Sequence, residues 1–385
     1  MRIVCAVHDY PPQRVTGSAQ LARRLCRGLG ARGHDVTVVS SARLREGPGD
    51  PRDPGVRVDR IGRGLATGLA RQVVHPLRGW LGSDPTGLAG PLHAVLMHRI
   101  RRARPDLILS LAVPTPEVVA AAGAARRLGV PAVAIPAYHV HQPGFVTREA
   151  QWLHTLGAFD ALLVATHEEQ AFFVDRGLQA GRIEHFRMPV EPPPPVGAGA
   201  VRAWRRARGI DDALLVVAAG SYSEQKGVWT LARAAQALPQ VRFVLLGGDE
   251  RARRDLCAAV AVGPNVHFAG FVDETQKAHW LHAADLLAMP SCGDSFGLVY
   301  VEANACGTPA LAADLPAMRE VLGPDGTFVP LDDPAALAAA IGDRLPAFWR
   351  RPEVRESARK NADRYAPEPA VSELVDALEA RAAAR

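Results

Sequence analysis

Short apolar runs and helical patterns alternate along the first half of the chain. Residues 3–7 and 36–39 form apolar runs typical of buried strands, and the apolar positions between 19 and 29 recur at helical spacing. A strand, a helix and a strand within about 40 residues indicate a parallel βαβ unit. The alternation then continues. We predict strands over 106–109, 132–135 and 161–165, and helices over 117–128 and 168–177.

A proline-rich stretch divides the chain in two. Residues 191–199 combine four consecutive prolines with two glycines, a composition typical of a stiff linker softened by glycine. After this stretch the alternation restarts. We predict strands over 214–218, 243–246, 266–269 and 286–289, and helices over 228–237, from 250 and over 275–283.

The pattern therefore predicts two α/β domains, each a doubly wound, Rossmann-like sheet. We place an N-terminal domain over 1–190, a Pro/Gly linker over 191–200 and a C-terminal domain over 201–385, with the last helix free to pack back on the first domain. Domains of this kind face each other across a cleft at the carboxyl ends of their strands, where ligands bind. Residues 60–104 carry broken amphipathic patterns that we do not assign.

Composition narrows the class of protein. A chain of 385 residues fits two domains, and its net charge of +5 is mild. The small arginine cluster between 99 and 104 resembles a solvated helix end more than a nucleic-acid surface, so we predict no nucleic-acid partner; peripheral contact with the inner face of a membrane stays open. Five cysteines without a Cys-x-x-Cys pair indicate reduced thiols in the cytoplasm. We find neither a signal-peptide pattern nor an apolar run long enough to span a bilayer.

The most informative segment is 290–309. It places two carboxylates, Asp294 and Glu302, eight positions apart, with a helical pattern opening near Gly297. The first N–H groups of such a helix lack partners and favour an anion, most often phosphate. Carboxylates beside that site can accept hydrogen bonds from sugar hydroxyls. The segment thus predicts a site for a nucleotide sugar, whereas the Gly-x-Gly-x-x-Gly fingerprint of nicotinamide enzymes is absent from the first turn.

The same segment resembles the donor motif of retaining glycosyltransferases with the GT-B fold, the family 4-like transferases of group 1. The family pattern is Pro-Ser, then Glu, seven residues, Glu-Ala and a small-residue run ending in Gly-x-Pro. Here Asp294 stands where the family has its first Glu. Weaker similarities extend over nearly the whole chain, strongest from 214 to 330. The resemblance implies transfer of a hexose from a UDP- or GDP-sugar to an acceptor hydroxyl of a glycan, glycolipid or natural product.

The resemblance also implies roles for single residues. Lys226 matches the family's phosphate lysine, which would stabilise the leaving diphosphate, and His139 matches a histidine near the sugar. The family usually has Arg where this chain has Ser221; Arg14 is one substitute for its charge. His139 and His141 alternate in direction along an extended segment without a carboxylate or Cys partner at a suitable spacing, which disfavours metal ligation.

The donor would be held mainly by the C-terminal domain. Glu302 would accept from ribose hydroxyls, and Asp294 from sugar hydroxyls. Backbone and side-chain contacts to the donor are expected from a further set: Ser221, Val272, Ser295, Phe296, Gly297, Leu298 and Val299. Gly17, after the first strand, is either a close-approach glycine for donor or acceptor or simply a helix-start glycine.

We expect no cofactor and no metal. The chain contains no Asp-x-Asp motif, and Lys226 with a helix N-terminus could neutralise a diphosphate instead. The N-terminal domain offers no convincing carboxylate nucleophile, which favours attack from the face that the diphosphate leaves. Two alternatives stay open: a sugar phosphorylase on the same fold, and a non-catalytic subunit that binds sugar nucleotides, prompted by Ser221. The acceptor is not specified by any pattern in the chain.

Overall fold

The computed structural model describes residues 1–11, 17–41, 53–61, 92–142, 148–343 and 346–383. These residues form two compact units. The first unit comprises Met1–Tyr138, Pro143–Pro189 and Glu368–Arg385, and the second comprises His139–Gln142 and Val190–Pro367. Residues 139–142 thus group with the second unit, and the last helix groups with the first. Arg14 lies outside the described residues.

The first unit is a parallel sheet with helices between its strands. Its described strands run in the order β3-β2-β1-β4-β5-β6-β7, and every neighbouring pair is parallel. The strands are β1 Arg2–Val7, β2 Asp35–Ser40, β3 Val56–Arg60, β4 Leu107–Leu111, β5 Ala132–Ile135, β6 Ala161–Val164 and β7 Ile183–His185. The helices are α1 Gly17–Ala31, α2 Leu92–Arg102, α3 Pro116–Leu128, α4 Glu149–Leu156 and α5 His167–Asp175, with a 3₁₀ turn over Ala180–Arg182.

The strands of this sheet are apolar because both faces are covered. Every residue of β4, β5 and β6 is buried, as expected for a parallel sheet between two helical layers. The strand order reverses at β1, which pairs with β2 on one side and β4 on the other. Ligands of doubly wound sheets bind outside the carboxyl ends of strands at such a reversal.

The second unit repeats this architecture with six described strands in the order β10-β9-β8-β11-β12-β13, all parallel. The strands are β8 Leu215–Ala219, β9 Arg242–Leu246, β10 Val266–Gly270, β11 Leu286–Met289, β12 Ala310–Ala313 and β13 Thr327–Val329. The helices are α6 Ala198–Arg206, α7 Val228–Ala235, α8 Glu250–Ala259, α9 Glu274–Ala283, α10 Leu298–Ala305, α11 Pro316–Leu322, α12 Pro334–Gly342, α13 Pro346–Trp349 and α14 Pro352–Asp363.

The last helix of the chain, α15 Pro367–Ala383, belongs almost wholly to the first unit. It buries Ala370, Leu374, Val375 and Leu378. Its polar side bonds to the end of α1: Arg32 pairs with Asp376 and donates to the Ser372 hydroxyl at 2.6 Å, and His34 lies 2.7 Å from Glu379. The helix is therefore fixed by an apolar stripe flanked by ion pairs.

The predicted linker is shorter than its composition suggested. Helix α6 begins at Ala198, within the predicted range 191–200, and Gly197 is its extended N-cap. Val201 and Trp204 are three positions apart and give the helix one apolar side, and the Trp204 ring stacks on His279 with their centroids 4.5 Å apart. That packing outweighs the helix-weakening effect of the nearby glycines.

No described helix combines the length and the apolar composition that crossing a membrane requires.

Candidate functional site

The site is built from two loops of the second unit. Strands β8 and β11 are neighbours where that sheet reverses its order, and Lys226 follows β8 while Asp294 follows β11. Hydrogen bonds join the two loops: the Gln225 carbonyl oxygen accepts one from the Ser291 hydroxyl and one from the Cys292 N–H, both at 2.9 Å. The two loop ends are therefore held together at the carboxyl edge of the sheet.

A glycine permits this close approach. Gly227 has a φ of 67°, and a Cβ added there would lie 2.2 Å from the Pro290 carbonyl oxygen. Any side chain would collide with backbone that has no room to move, in a conformation that L residues rarely adopt. The Lys-Gly sequence at 226–227 therefore places the lysine directly before the turn that packs on the second loop.

Lys226 and Asp294 form an ion pair. Lys226 Nζ contacts Asp294 Oδ1, and the side chains are 23% and 8% exposed. Burial alone would raise the pKa of Asp294, but the charge and hydrogen bond of Lys226 outweigh it and keep that pKa below its usual value. The carboxylate is therefore charged at neutral pH and able to accept hydrogen bonds.

His139 joins this pair from the short segment 139–142. Its Nδ1 contacts the Gly293 carbonyl oxygen and lies 3.0 Å from Gln225 Nε2. Burial lowers the pKa of His139, and the positive charge of Lys226 lowers it further. The imidazole is neutral at neutral pH, so it can donate from one nitrogen and accept at the other. His139 was predicted from the sequence, whereas the residues that hold its ring, Gln225 and Gly293, were not, because no motif marks them.

The second loop leads into helix α10. Gly297, with a φ of 77°, is the N-cap residue, and no side chain caps the helix. A Cβ at Gly297 would lie 2.4 Å from the Tyr300 ring. Phe296 is buried against Tyr365, with the rings 5.2 Å apart, so only its backbone can contact a ligand. Ser295, Leu298 and Val299 are half-buried around the turn. The first N–H groups of α10 thus form an anion-favouring end.

Glu302 lies in α10 and is 7% exposed. Lys277 of α9 reaches it at 3.2 Å and also pairs with Glu274 at 2.9 Å. Burial alone would lower the pKa of Lys277. The carboxylates of Glu302 and Glu274 outweigh the effect of burial, so the pKa of the lysine is raised. Lys277 holds the Glu302 side chain in one orientation. Lys277 was not predicted from the sequence, because a single lysine on a helix belongs to no recognisable motif.

The remaining predicted residues are more dispersed. Ser221 is exposed, and its hydroxyl lies 3.0 Å from that of Ser223. Val272 is partly buried against the core of the second unit, beside Phe271, whose side chain is 74% exposed. Gly17 begins α1 of the first unit and is exposed. Among the predicted residues, the structure therefore brings Lys226 and Asp294 into direct contact, and it places His139 against Gln225 and Gly293, the residues that directly precede them.

The two halves of the chain match two glycosyltransferase family models. Residues 213–345 match the model described as "Glycosyl transferases group 1", and residues 15–192 match "Glycosyltransferase Family 4".

Curated relatives are similar over parts of the chain. One is the "D-inositol 3-phosphate glycosyltransferase" of Xylanimonas cellulosilytica, 34% identical over 237 residues that cover 57% of each chain. Another is the "Phosphatidyl-myo-inositol mannosyltransferase" of Mycobacterium tuberculosis, 38% identical over 146 residues that cover 36% of this chain and 38% of the relative. The chain thus spans about half or less of the length of these relatives.

Solved structures resemble the chain over its whole length. Anabaena HepE in complex with UDP and glucose superimposes with a TM-score of 0.76 at 18% identity, covering 99% of this chain and 100% of that one. Sucrose-phosphate synthase from Thermosynechococcus elongatus gives 0.76 at 21% identity, covering 100% and 99%. At these identities the likeness concerns the fold, and it confirms the predicted GT-B architecture of two Rossmann-like α/β domains.

Proposed function

We propose that this chain, which belongs to the group 1 and family 4 glycosyltransferases, transfers a hexose from a UDP- or GDP-sugar to an acceptor hydroxyl with retention of anomeric configuration. The observation that carries the proposal is the Lys226–Asp294 pair beside a neutral imidazole, directly before the uncapped start of α10. A cation, a carboxylate and free N–H groups at one edge of a sheet suit a sugar diphosphate.

The comparisons support each substrate class. HepE is described in complexes with UDP and glucose and with UDP-glucose, which supports a nucleotide-sugar donor. The curated relatives are named for D-inositol 3-phosphate and phosphatidyl-myo-inositol, which supports an acceptor that carries inositol hydroxyls.

In the proposed complex the diphosphate lies at the start of α10 and against Lys226. Asp294 accepts from the sugar hydroxyls, and Glu302, oriented by Lys277, accepts from the ribose. The backbone of 295–299 and the Ser221 hydroxyl donate to phosphate and sugar, and backbone atoms at Val272 contact the base. Pairing with Asp294 positions Lys226 without consuming all three of its hydrogen-bond donors.

The proposed transfer proceeds on one face of the sugar. The acceptor oxygen bonds to the anomeric carbon as the bond from that carbon to the diphosphate oxygen breaks. The departing phosphate oxygen takes the acceptor's proton, and Lys226 stabilises the charge that builds on it. His139, held neutral, bonds to the sugar near the anomeric carbon and fixes its orientation. No divalent metal takes part in this scheme.

A product assay tests the proposal. The full chain is incubated with UDP- and GDP-sugars and with myo-inositol, D-inositol 3-phosphate or phosphatidylinositol, and products are identified by mass and anomeric configuration. We expect a glycosylated acceptor with the donor's configuration and free nucleoside diphosphate. Turnover only with inorganic phosphate would indicate a phosphorylase. Nucleotide-sugar binding without turnover of any donor would indicate a binding subunit, and either result contradicts the proposal.

A further inference from the structure

A short turn of the second unit lies directly against the loop that carries Asp294. The turn comprises residues 139–142, and we call it the 139–142 turn. It is closed by the Gln142 N–H, which donates to the His139 carbonyl oxygen at 3.3 Å. At its first residue, His139 Nδ1 contacts the carbonyl oxygen of Gly293, the residue before Asp294. One end of the turn is therefore joined to the loop by a side-chain contact.

The other end of the turn packs on the same glycine. A Cβ added at Gly293 would lie 3.1 Å from Gln142 Cβ, 3.3 Å from its N and 3.6 Å from its Cα. Contacts of 3.1 Å are tighter than a Cβ normally makes, so the missing side chain at 293 is what lets Gln142 approach the loop. Gln142 is therefore held beside the residue that precedes Asp294.

The side-chain amide of Gln142 is incompletely satisfied. Its Oε1 atom is shielded from solvent and has no hydrogen-bond partner among the residues that the structure describes. Buried polar atoms in folded proteins are nearly always hydrogen-bonded, and an acceptor without a partner costs free energy that an apolar side chain would avoid. The residue as a whole is only half-buried, so the amide can turn outward towards a ligand. An acceptor is thus in place without the donor that would satisfy it.

The chemistry of this acceptor selects the group that it can bind. An amide oxygen accepts only from O–H or N–H groups, and the ionised diphosphate of a sugar nucleotide offers neither. Gln142 packs beside the neighbour of Asp294 and closes one turn with His139, and both of those residues contact the sugar in the proposed complex. The nearest donors to the Gln142 amide in that complex are therefore the hydroxyls of the hexose.

We propose that Gln142 is a specificity-determining residue, whose side-chain oxygen accepts a hydrogen bond from one hydroxyl of the donor hexose. A contact of this kind rejects analogues that lack the hydroxyl, since the acceptor then stays without a partner. Epimers that direct the hydroxyl elsewhere are rejected for the same reason. The inference rests on the proposed function and deepens it, because it names a residue that distinguishes one hexose from another.

Binding of donors to the full chain tests this role without requiring turnover. UDP-glucose, UDP-galactose, UDP-N-acetylglucosamine and GDP-mannose are titrated by calorimetry, and the one that binds most tightly is compared with its monodeoxy analogues. Gln142→Met keeps the length of the side chain and removes the amide. We expect this variant to bind the parent donor about tenfold more weakly, the effect of one hydrogen bond. It should bind free UDP or GDP as the wild type does.

A double-mutant cycle identifies the hydroxyl. For one monodeoxy analogue, the wild type and Gln142→Met should bind equally, because the group that Gln142 contacts is already absent. For the other analogues, the variant should lose the same factor of about ten as for the parent donor. A side chain that only supports the fold would weaken every donor and the free nucleotide by similar factors, and that result overturns the inference.

Two further variants exclude general effects of substitution. Gln236→Met is the matched control in the same unit, since Gln236 is exposed and its Nε2 donates to the Ala261 carbonyl oxygen at 2.6 Å. It should bind all donors normally. Gln142→Ala removes the amide together with most of the stem and should spare the same analogue as Gln142→Met. If Gln142→Met does not fold, Gln142→Ala decides the test.

Failure of this inference and failure of the proposed function give different results. Wild-type discrimination among the analogues in Gln142→Met, or no binding of the four donors by the wild type, overturns the inference even where transfer from another sugar nucleotide is observed. Conversely, loss of discrimination in Gln142→Met alongside no transfer from any donor supports the hexose contact and overturns the proposed function.

Discussion

Lys226 and Asp294 form an ion pair in a largely buried setting, and Lys226 keeps the pKa of Asp294 below its usual value. Removing one partner of such a pair leaves an uncompensated charge, so substitutions here act on the remaining partner as well as on a ligand. Predictions for this site therefore need readouts that separate binding from turnover.

Lys226→Ala should lower turnover at least about a hundredfold, the scale of losing a positioned electrostatic contact to a leaving group. The position of the lysine before Gly227 makes it the cation nearest Asp294 in the β8 loop. Steady-state rates with the active donor measure the effect. Lys360→Ala, on the exposed side of α14, is the matched control and should keep normal rates. Near-normal turnover of Lys226→Ala would exclude the lysine from the reaction.

Substitutions of Asp294 and Glu302 should affect different properties: turnover for Asp294 and nucleotide affinity for Glu302. Asp294→Ala should lose turnover while still binding the free nucleoside diphosphate, because in the proposed complex Asp294 contacts only the sugar part of the donor. Glu302→Ala should lose about tenfold or more in nucleotide affinity, since a charged hydrogen bond to ribose is worth about 1.4 kcal/mol or more. Calorimetric titration with UDP and GDP compares the two. The reverse pattern, with nucleotide affinity lost only in Asp294→Ala, would contradict the assigned roles.

Glu169 gives the first unit a pH-dependent stability. Burial raises its pKa from 4.5 to about 7, against the opposing effect of the Tyr138 and Ala165 N–H groups that donate to it. An acid whose pKa is raised by folding stabilises the native state when protonated. That contribution is complete below about pH 4.5 and is lost as the pH rises through about 7, on the order of 3 kcal/mol in all.

Glu169→Gln should remove this dependence. The difference in free energy of unfolding between wild type and variant, from urea titrations at several pH values, should change steadily across that window. Other titrating groups cancel in the difference because both proteins contain them. A constant difference from acid to neutral pH would contradict this prediction, because it would show that folding leaves the pKa of Glu169 unchanged.

At the scale of elements, apolar periodicity predicted most strands of the two sheets. It did not predict the strands whose formation depends on tertiary contacts. Strands β1, β2 and β4 were predicted to within one or two residues, because parallel strands read as continuous apolar runs. Strand β3, Val56–Arg60, was not predicted. Its apolar residues alternate with charged ones, because the strand lies at a partly exposed edge of the sheet. Strand β7 was not predicted either, because three residues are too few to show a strand pattern of apolar positions.

Helix α15 should contribute strongly to the stability of the first unit. Leu374 is 2% exposed, and truncating a buried leucine costs about 2–5 kcal/mol. Leu374→Ala should therefore lower the midpoint of urea or thermal unfolding markedly. Glu368→Ala, on the exposed side of the same helix, should leave it within experimental error. Equal behaviour of the two variants would show that α15 is only loosely attached.

At the scale of the whole molecule, the alternation of strands and helices predicted two Rossmann-like domains and the motif at 290–309 indicated the family, whereas the contacts within the candidate site were predicted only in part. The motif marked Asp294, Glu302 and the helix start because their spacing is fixed along the chain. Gln225 and Lys277 were missed, since their contacts join residues far apart in sequence.

Activity should not depend on a divalent metal. In the proposed complex a lysine and a helix N-terminus face the diphosphate, and they would supply the positive potential that a metal would otherwise bring. Rates measured in excess EDTA should equal those in magnesium. Loss of activity in EDTA that magnesium or manganese restores would contradict this expectation.

The return of α15 to the first unit affects the order of folding during synthesis. The first unit needs residues 368–383, whereas the second is drawn from 139–142 and 190–367, all of which leave the ribosome earlier. Domains usually fold as units while the chain emerges, N-terminal first. Here the first unit keeps an apolar surface exposed until Leu374 and Val375 are synthesised and cover it. The second unit can therefore complete its core first. The ribosome-bound chain therefore exposes this surface longer than its position in the sequence suggests, and a chaperone that shields it would act during that interval.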